Sequence, residues 1–288
     1  MLITGANGRI GSDLVKFFSV KTKVYALYRN SNKINRRLKN KNITWIKHDL
    51  KNKLKKKINS KLIIHCAGIH SFSKNNNFDS YITSNIIGLR NLLEFAGKRN
   101  FKKIIHISSV DIYGEINKKI LDEKNQSKNP GLLGSTKIIM EKMISMKKID
   151  FLNIRVPGVV GYQVNDPRYP WFSRILSNLK NNKEVYLYNS DKKFNNILDT
   201  LEIYNFINFI KKKKLNNQTI NLAASKPINL KKMIGMIKRT IKSRSKIIIK
   251  KNKTTHFVIS NEKVLKVFKY KPTSTKNIIE RYIETFSH

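Results

Sequence analysis

The chain has 288 residues, with 59 Lys and Arg against 18 Asp and Glu and a formal charge of +41. That length buries a large core, so one α/β domain with a smaller appended region is expected. No apolar run approaches the ~18 residues of a membrane span, and a lone cysteine, Cys66, excludes an intrachain disulfide. The amino-terminus does not read as a signal peptide, because a glycine turn begins at its fourth residue. A cytoplasmic protein is therefore expected. The basic excess is spread along the chain, with short clusters at 51–57 and 211–214. Lys, Asn and Ile dominate together, the drift expected of an AT-rich genome, so a dedicated nucleic-acid site is not favoured.

The first element is a short apolar run, Met1-Leu2-Ile3, followed by Thr4-Gly-Ala-Asn-Gly-Arg-Ile-Gly11 and a helical pattern at Ile10, Leu14, Phe17 and Phe18. This reads as strand, glycine turn, helix. Glycines at Gly5, Gly8 and Gly11 let the backbone approach a dinucleotide pyrophosphate, and the helix amino-terminus receives its charge. Asn7, Arg9 and Ile10 belong to the same candidate turn. The strand is shorter than the usual ~5–6 residues, as expected if the true start lies upstream.

Further strands are predicted at 23–28, 44–48, 61–67, 103–108 and 151–155, with a long helix over about 78–100 whose core face carries Ile82, Ile86, Leu89, Leu93 and Phe95. The alternation predicts parallel strands joined by right-handed crossovers, a doubly wound Rossmann sheet. Ligands lie at the carboxyl ends of such strands, which singles out Arg29, Asp49, Ala67, Ser109 and Pro157. Beyond about residue 160 the pattern loosens, with helices near 171–182 and 199–213 and strands near 185–188, 219–222 and 246–250. The expected division is a dinucleotide-binding domain over 1–160 and a smaller mixed α/β substrate lobe over 161–288, with some elements returning to the main domain. The triplet Asn75-Asn76-Asn77 marks a loop.

The end of the second strand reads Leu27-Tyr28-Arg29-Asn30, with Lys33, Arg36 and Arg37 close behind and no acid. A carboxylate there suits the ribose hydroxyls of NAD and a basic residue the extra phosphate of NADP, so NADP(H) is preferred, with NAD(H) as the alternative. His65, His70 and His106 have no spacing that joins them to Cys66 as a metal set. The aromatic residues Tyr162, Tyr169, Trp171 and Phe172 either stack on a base or pack the smaller lobe.

Several motifs together resemble the extended short-chain dehydrogenase/reductases, specifically the NAD(P)-dependent epimerase/dehydratases of nucleotide-linked sugars. The residues 4–11 are similar to the family's glycine motif, His48-Asp49-Leu50 to its adenine-contacting turn, and His65-Cys66-Ala67-Gly68 to the segment under the nicotinamide ribose. Asn85, Gly88 and Asn91-Leu92-Leu93 resemble the helix with the structural asparagine. Ser108-Ser109-Val110-Asp111-Ile112-Tyr113-Gly114 resembles the active-site strand end, and Arg155-Val-Pro157-Gly-Val-Val-Gly161 the loop flanking the nicotinamide. The residues 194–199 and 260–272 match later motifs.

The resemblance implies hydride transfer at a sugar carbon, with Ser109 binding the reacting oxygen and Lys137, in Gly134-Ser135-Thr136-Lys137, holding the ribose. It also implies cofactor contacts at Gly68, Leu50 and Pro157, substrate contact at Tyr113, and a homodimer through the helices at 78–100 and 134–146. Four residues before Lys137, where the family carries its proton-transferring tyrosine, stands Leu133. Asp111 is the candidate substitute for acid/base work, with Tyr113 second; Asp111 also reads as a loop residue that caps a backbone N–H. The expected function is an atypical nucleotide-sugar epimerase, dehydratase or reductase in surface-polysaccharide synthesis. The alternative is a catalytically inactive NAD(P)-binding protein acting as a redox sensor or RNA-binding module.

Overall fold

A computed structural model describes residues 1–30, 38–71, 77–161, 170–188, 190–250 and 256–287. Lys33, Arg36, Arg37, Asn75, Asn76, Tyr162 and Tyr169 lie outside them, as does the side chain of Trp171. The chain divides into two units. The first comprises Met1–Glu115, Gln126–Val156 and Ile203–Ile220, and the second Ile116–Asn125, Pro157–Glu202 and Asn221–His288.

Seven strands form the sheet of the first unit: β1 (Leu2–Thr4), β2 (Val24–Tyr28), β3 (Ile43–Lys47), β4 (Leu62–His65), β5 (Lys103–Ser109), β6 (Asp150–Val156) and β7 (Gln218–Asn221). Their order across the sheet is β7-β6-β5-β4-β1-β2-β3. Pairing is parallel from β3 through β2, β1, β4 and β5 to β6. The order reverses at β1, so β1 and β4 flank the crevice where a doubly wound sheet binds its ligand. The strand expected at 219–222 joins this sheet as its edge, where Thr219 Oγ1 accepts a hydrogen bond from Asn153 Nδ2 at 3.0 Å.

The helices of this unit are α1 (Arg9–Ser19), α2 (Phe78–Tyr81), α3 (Gly88–Lys98), α4 (Leu132–Ser145) and α5 (Thr200–Ile210), of which α5 starts in the second unit. On one sheet face Leu2, Ile63, Ile104 and Phe151 pack with Leu89, Leu92, Met140 and Ile144 of α3 and α4. Strand alternation turns Ile3, Ile64, Ile105 and Leu152 to the other face, and these are also fully buried. Both faces are covered, which explains why the strands read as continuous apolar runs.

The helix expected over 78–100 differs in its interior. Ile82–Ile87 is a π-helical segment, in which the Gly88 N–H donates to Thr83 O five residues back. The wider turn accompanies a buried side chain. Asn85 is fully enclosed, its Oδ1 accepting from the Ile69 N–H at 2.7 Å and its Nδ2 donating to Thr136 Oγ1 at 3.0 Å. One helical residue thus ties the segment after β4 to α4.

The second unit is built from short strand pairs. Gly158–Val160 runs parallel to Ile197–Asp199, Val185–Tyr188 to Ile247–Lys250, and Ile120–Leu121 to Val258–Ile259. Lys193–Phe194 pairs antiparallel with Ile228–Asn229. Side chains supply the bonds that such short ladders lack: Asn195 Nδ2 donates to Ala224 O and Ile259 O, and its Oδ1 accepts from the Ile259 N–H. Among the described residues no helix is long and apolar enough to cross a membrane.

Candidate functional site

Thr4 ends β1, and Gly5 turns the chain with φ +65°. A Cβ on Gly5 would lie 2.8 Å from Ala67 N, and one on Gly11 would lie 2.1 Å from Gly5 O. Both positions require glycine, because the turn passes against the end of β4 and α1 packs onto the turn. Gly8 caps α1 in an extended conformation without a side-chain cap, and the first helical turn carries no acid. The Gly8 N–H donates to Gly5 O at 2.9 Å, and the helix dipole at this end favours an anion. Arg9, Ile10 and Gly11 form that first turn.

A cleft of about 170 Å³ opens beside the turn. Gly5, Asn7 and Gly8 form its centre. One end is made by Leu27 of β2, Arg29 just after it, and His48, Asp49, Leu50 and Lys51 after β3. Asp49 Oδ1 accepts the Lys51 N–H at 3.1 Å, and Asn91 Nδ2 holds Leu50 O and Lys51 O at 2.8 and 2.9 Å. The other end consists of Cys66, Ala67, Gly68, Ile69 and Ser84. Lys51, Ile69 and Ser84 were not singled out in the sequence; Lys51 and Ile69 follow strand ends, which was the available signal. Arg9, Ile10 and Gly11 are not among the residues lining the cleft.

Beside this end, after β5, Ser109 and Asp111 form a pair. Ser109 Oγ donates to Asp111 Oδ2 at 2.6 Å and accepts the Asp111 N–H at 3.1 Å. Asp111 belongs to the single helical turn Val110–Tyr113 and is exposed. It is both a turn-capped residue and an available carboxylate. Pro157 opens the segment Pro157–Glu202 of the second unit.

Lys137 lies buried on α4, its Nζ donating to Ile107 O at 2.8 Å. Burial lowers its ammonium to about 8, against the opposing pull of Cys66, Glu141 and Asp111. Burial also pushes the Cys66 thiol up to about 12, leaving it a packing residue. One turn further, Glu141 Oε1 accepts from Ser108 Oγ at 2.5 Å, and its carboxylate pairs with Arg155 at 2.8 Å. Arg155 Nη1 donates to Tyr113 Oη at 3.0 Å, and its guanidinium lies 5.1 Å from the centre of that ring. Tyr113 is 1% exposed. The fold therefore places Tyr113 in a buried support, in a different setting from the exposed Asp111.

Leu133 is 6% exposed and packs with Ile69 and Tyr81. Tyr81 and Glu141 were missed as site neighbours, and Arg155 was noted only as the start of the loop over 155–161. His65 and His106 are buried with rings stacked at 5.3 Å, and burial depresses both imidazoles. Among the described residues no three His, Cys, Asp or Glu side chains form a metal-holding group.

A parallel sheet reversed at β1, a glycine turn against an uncapped helix end, and a cleft spanning the tips of β2, β3 and β4 define a dinucleotide-binding protein. The NAD dependent epimerase/dehydratase family model matches residues 1–223, and the chain belongs to this family of enzymes. An uncharacterized protein of Methanocaldococcus jannaschii is 29% identical over 275 residues, 85% of this chain and 82% of that one. In structure the chain is similar to UDP-glucuronic acid 4-epimerase from Bacillus cereus in complex with NAD. The TM-score is 0.80, with 20% identity and coverage of 100% of this chain and 99% of that one. It is also similar to UDP-N-acetylglucosamine 4-epimerase from Methanobrevibacter ruminantium M1, with TM-score 0.81, 19% identity and coverage of 99% and 97%. The residues present fit the family's dinucleotide: a Cβ on Gly5 or Gly11 would fill the glycine cradle, and the amino-terminal turn of α1 carries neither an acidic side chain nor a side-chain cap.

Proposed function

We propose that the protein is a nucleotide-sugar epimerase, or a dehydratase or reductase of that class, whose product enters surface-polysaccharide synthesis as the family resemblance implies. The observation that carries this is the exposed Ser109–Asp111 pair beside buried Lys137, on the strand next to the cleft's Cys66–Ile69 end. Gly5, Gly8 and the α1 amides would hold the pyrophosphate, Asp49 and Leu50 the adenosine end, and Ala67, Gly68 and Lys137 the nicotinamide end. The bound dinucleotide supplies hydride acceptance and return. Ser109 orients the sugar hydroxyl and Asp111 takes its proton.

Arg29 and Lys51 bring two cations to the adenosine end of the cleft, which supports NADP(H) over NAD(H) for this chain. The test is incubation with NADP⁺ or NAD⁺ against a panel of UDP- and dTDP-linked sugars and their 4-keto forms, read by NMR. Conversion is expected, with the higher kcat/KM from NADP⁺. Tight cofactor binding without conversion of any sugar would instead favour the inactive binding-protein reading, which Leu133 keeps in view.

The reading includes a homodimer. Leu132, Ile139 and Met146 are exposed large apolar residues spaced seven apart along and just after α4, and Phe78 is exposed at the start of α2. A second copy would cover this stripe. Light scattering should return twice the chain mass, falling to the single-chain mass on Ile139→Lys.

A further inference from the structure

In the second unit the strand Val185–Tyr188 alternates sharply. Val185 and Leu187 are each 1% exposed, whereas Tyr186 and Tyr188 are 46% and 50% exposed on the opposite face. The strand Ile247–Lys250 runs parallel to it, with half-buried Ile248 beside Tyr186 and Lys250 beside Tyr188. Lys250 Nζ lies 5.7 Å from the centre of the Tyr186 ring. Two exposed rings side by side on one face differ from the scattered single apolar residues of an ordinary surface.

The surroundings of this face are basic. The turns that lead into the two strands are joined: Asn182 Oδ1 accepts the Arg244 N–H at 2.7 Å, and the Val185 N–H donates to Lys246 O at 2.9 Å. Lys183, Lys242, Arg244 and Lys246, all exposed, therefore gather at one end of the strand pair. Among the described residues none of the four forms an ion pair. The segments 174–188 and 230–250 together hold eleven Lys and Arg against one acid, Glu184. They make up an eighth of the chain and carry about a quarter of its net charge, so even compositional drift does not account for them. Glu184 is itself engaged, its Oε2 accepting from Tyr186 Oη at 2.7 Å.

We propose that this face binds single-stranded nucleic acid, through residues none of which lines the dinucleotide cleft. Bases stack on Tyr186 and Tyr188, while Lys246, Lys250 and the turn cations Lys183 and Arg244 neutralise phosphates. Side chains two apart on a strand stand about 6.6 Å from each other, so successive unstacked bases of an extended strand each meet one ring. A duplex keeps its base faces inside, which makes a single strand the occupant. An anionic polymer without bases would use the cations and leave the rings idle. Ile249, 52% exposed, alternates to the other face of the strand pair. The tyrosine face thus offers rings and cations, with little of the aliphatic surface that a lipid bilayer takes.

The experiment follows the fluorescence anisotropy of a labelled oligouridylate of about twelve nucleotides with the full-length protein, over a range of salt concentrations. Binding is expected, with log K falling against log salt at a slope of about −0.7 for each phosphate neutralised. Tyr186→Ser and Tyr188→Ser should each weaken binding by about 5-fold or more. Both rings are exposed, so these variants keep the fold, which an unchanged melting curve verifies. Arg244→Gln with Lys246→Gln should flatten the salt slope by about 1.4. Removing the same charge from exposed positions in the first unit, by Lys55→Gln with Lys56→Gln, should change the affinity by less than about 2-fold. Inorganic polyphosphate and phosphatidylglycerol vesicles test the competing occupants. Failure to bind oligouridylate, full binding by both tyrosine variants, or an equal loss from the Lys55 and Lys56 pair overturns the proposal. So does polyphosphate or vesicle binding that is tighter and equally sensitive to the tyrosines. No readout involves sugar turnover, so the sugar reading stands or falls separately.

Discussion

Replacing Asp111 with asparagine is expected to lower kcat by about 10²–10⁴-fold, the range for a lost general base, while the cofactor binds as before. The change is nearly isosteric. The side-chain oxygen of asparagine can still accept the Ser109 hydrogen bond seen at 2.6 Å, so the turn Val110–Tyr113 stays capped, but an amide does not take the proton. Ser109→Ala should cost about 10²–10³-fold, as for loss of one preorganised donor at a reacting oxygen. Measuring kcat and cofactor Kd side by side separates these from a binding defect. Wild-type turnover in both variants would remove the pair from the mechanism.

The second large effect concerns stability. Arg155→Met should destabilise the fold by about 3–5 kcal/mol, the cost of breaking one side of a buried ion pair. The Arg155 and Glu141 side chains are 15% and 10% exposed. Without the guanidinium, Glu141 keeps Ser108 as a hydrogen-bond partner, and Tyr113 loses the Arg155 donor and the cation near its ring. Urea unfolding should show a lower midpoint at unchanged slope. Changing Glu141 to methionine in the same chain should recover much of the loss, since a paired apolar replacement leaves no stranded charge. An unaltered midpoint in Arg155→Met would mean that the pair contributes nothing to the fold.

The phosphate end of the site was legible because its constraint is local. Gly5, Gly8 and Gly11 sit three apart, and the reason each lacks a side chain involves the turn itself or the next strand end. The strands were legible because burial on both faces leaves unbroken apolar runs. The region around Leu133 was less so. Tyr81 lies 52 positions from Leu133 in sequence, and the π turn that helps set its direction has no residue signature distinguishing Ile82–Ile87 from ordinary helix. Glu141 reads as another charged residue on a lysine-rich helix. Its burial follows from the register that pairs Ser108 with Arg155 across β5 and β6. The strand at 218–221 looked like part of the later lobe because its neighbour in the sheet, β6, lies more than sixty residues earlier.

That edge strand also bears on how the chain is made. Residues leave the ribosome in order, and β6 is complete at Val156, but its outer neighbour begins only at Gln218. The intervening stretch includes Pro157–Glu202, which belongs to the other unit. Throughout its synthesis β6 is the nascent sheet's outer edge, with unpaired N–H and C=O groups on one side, a template for pairing with another chain. At a synthesis rate of about 5–20 residues per second, that exposure lasts for several seconds. Asn153, whose amide later donates to Thr219, faces that interval without its partner. Misfolding during expression should therefore begin at this edge, and chains truncated before residue 218 should aggregate.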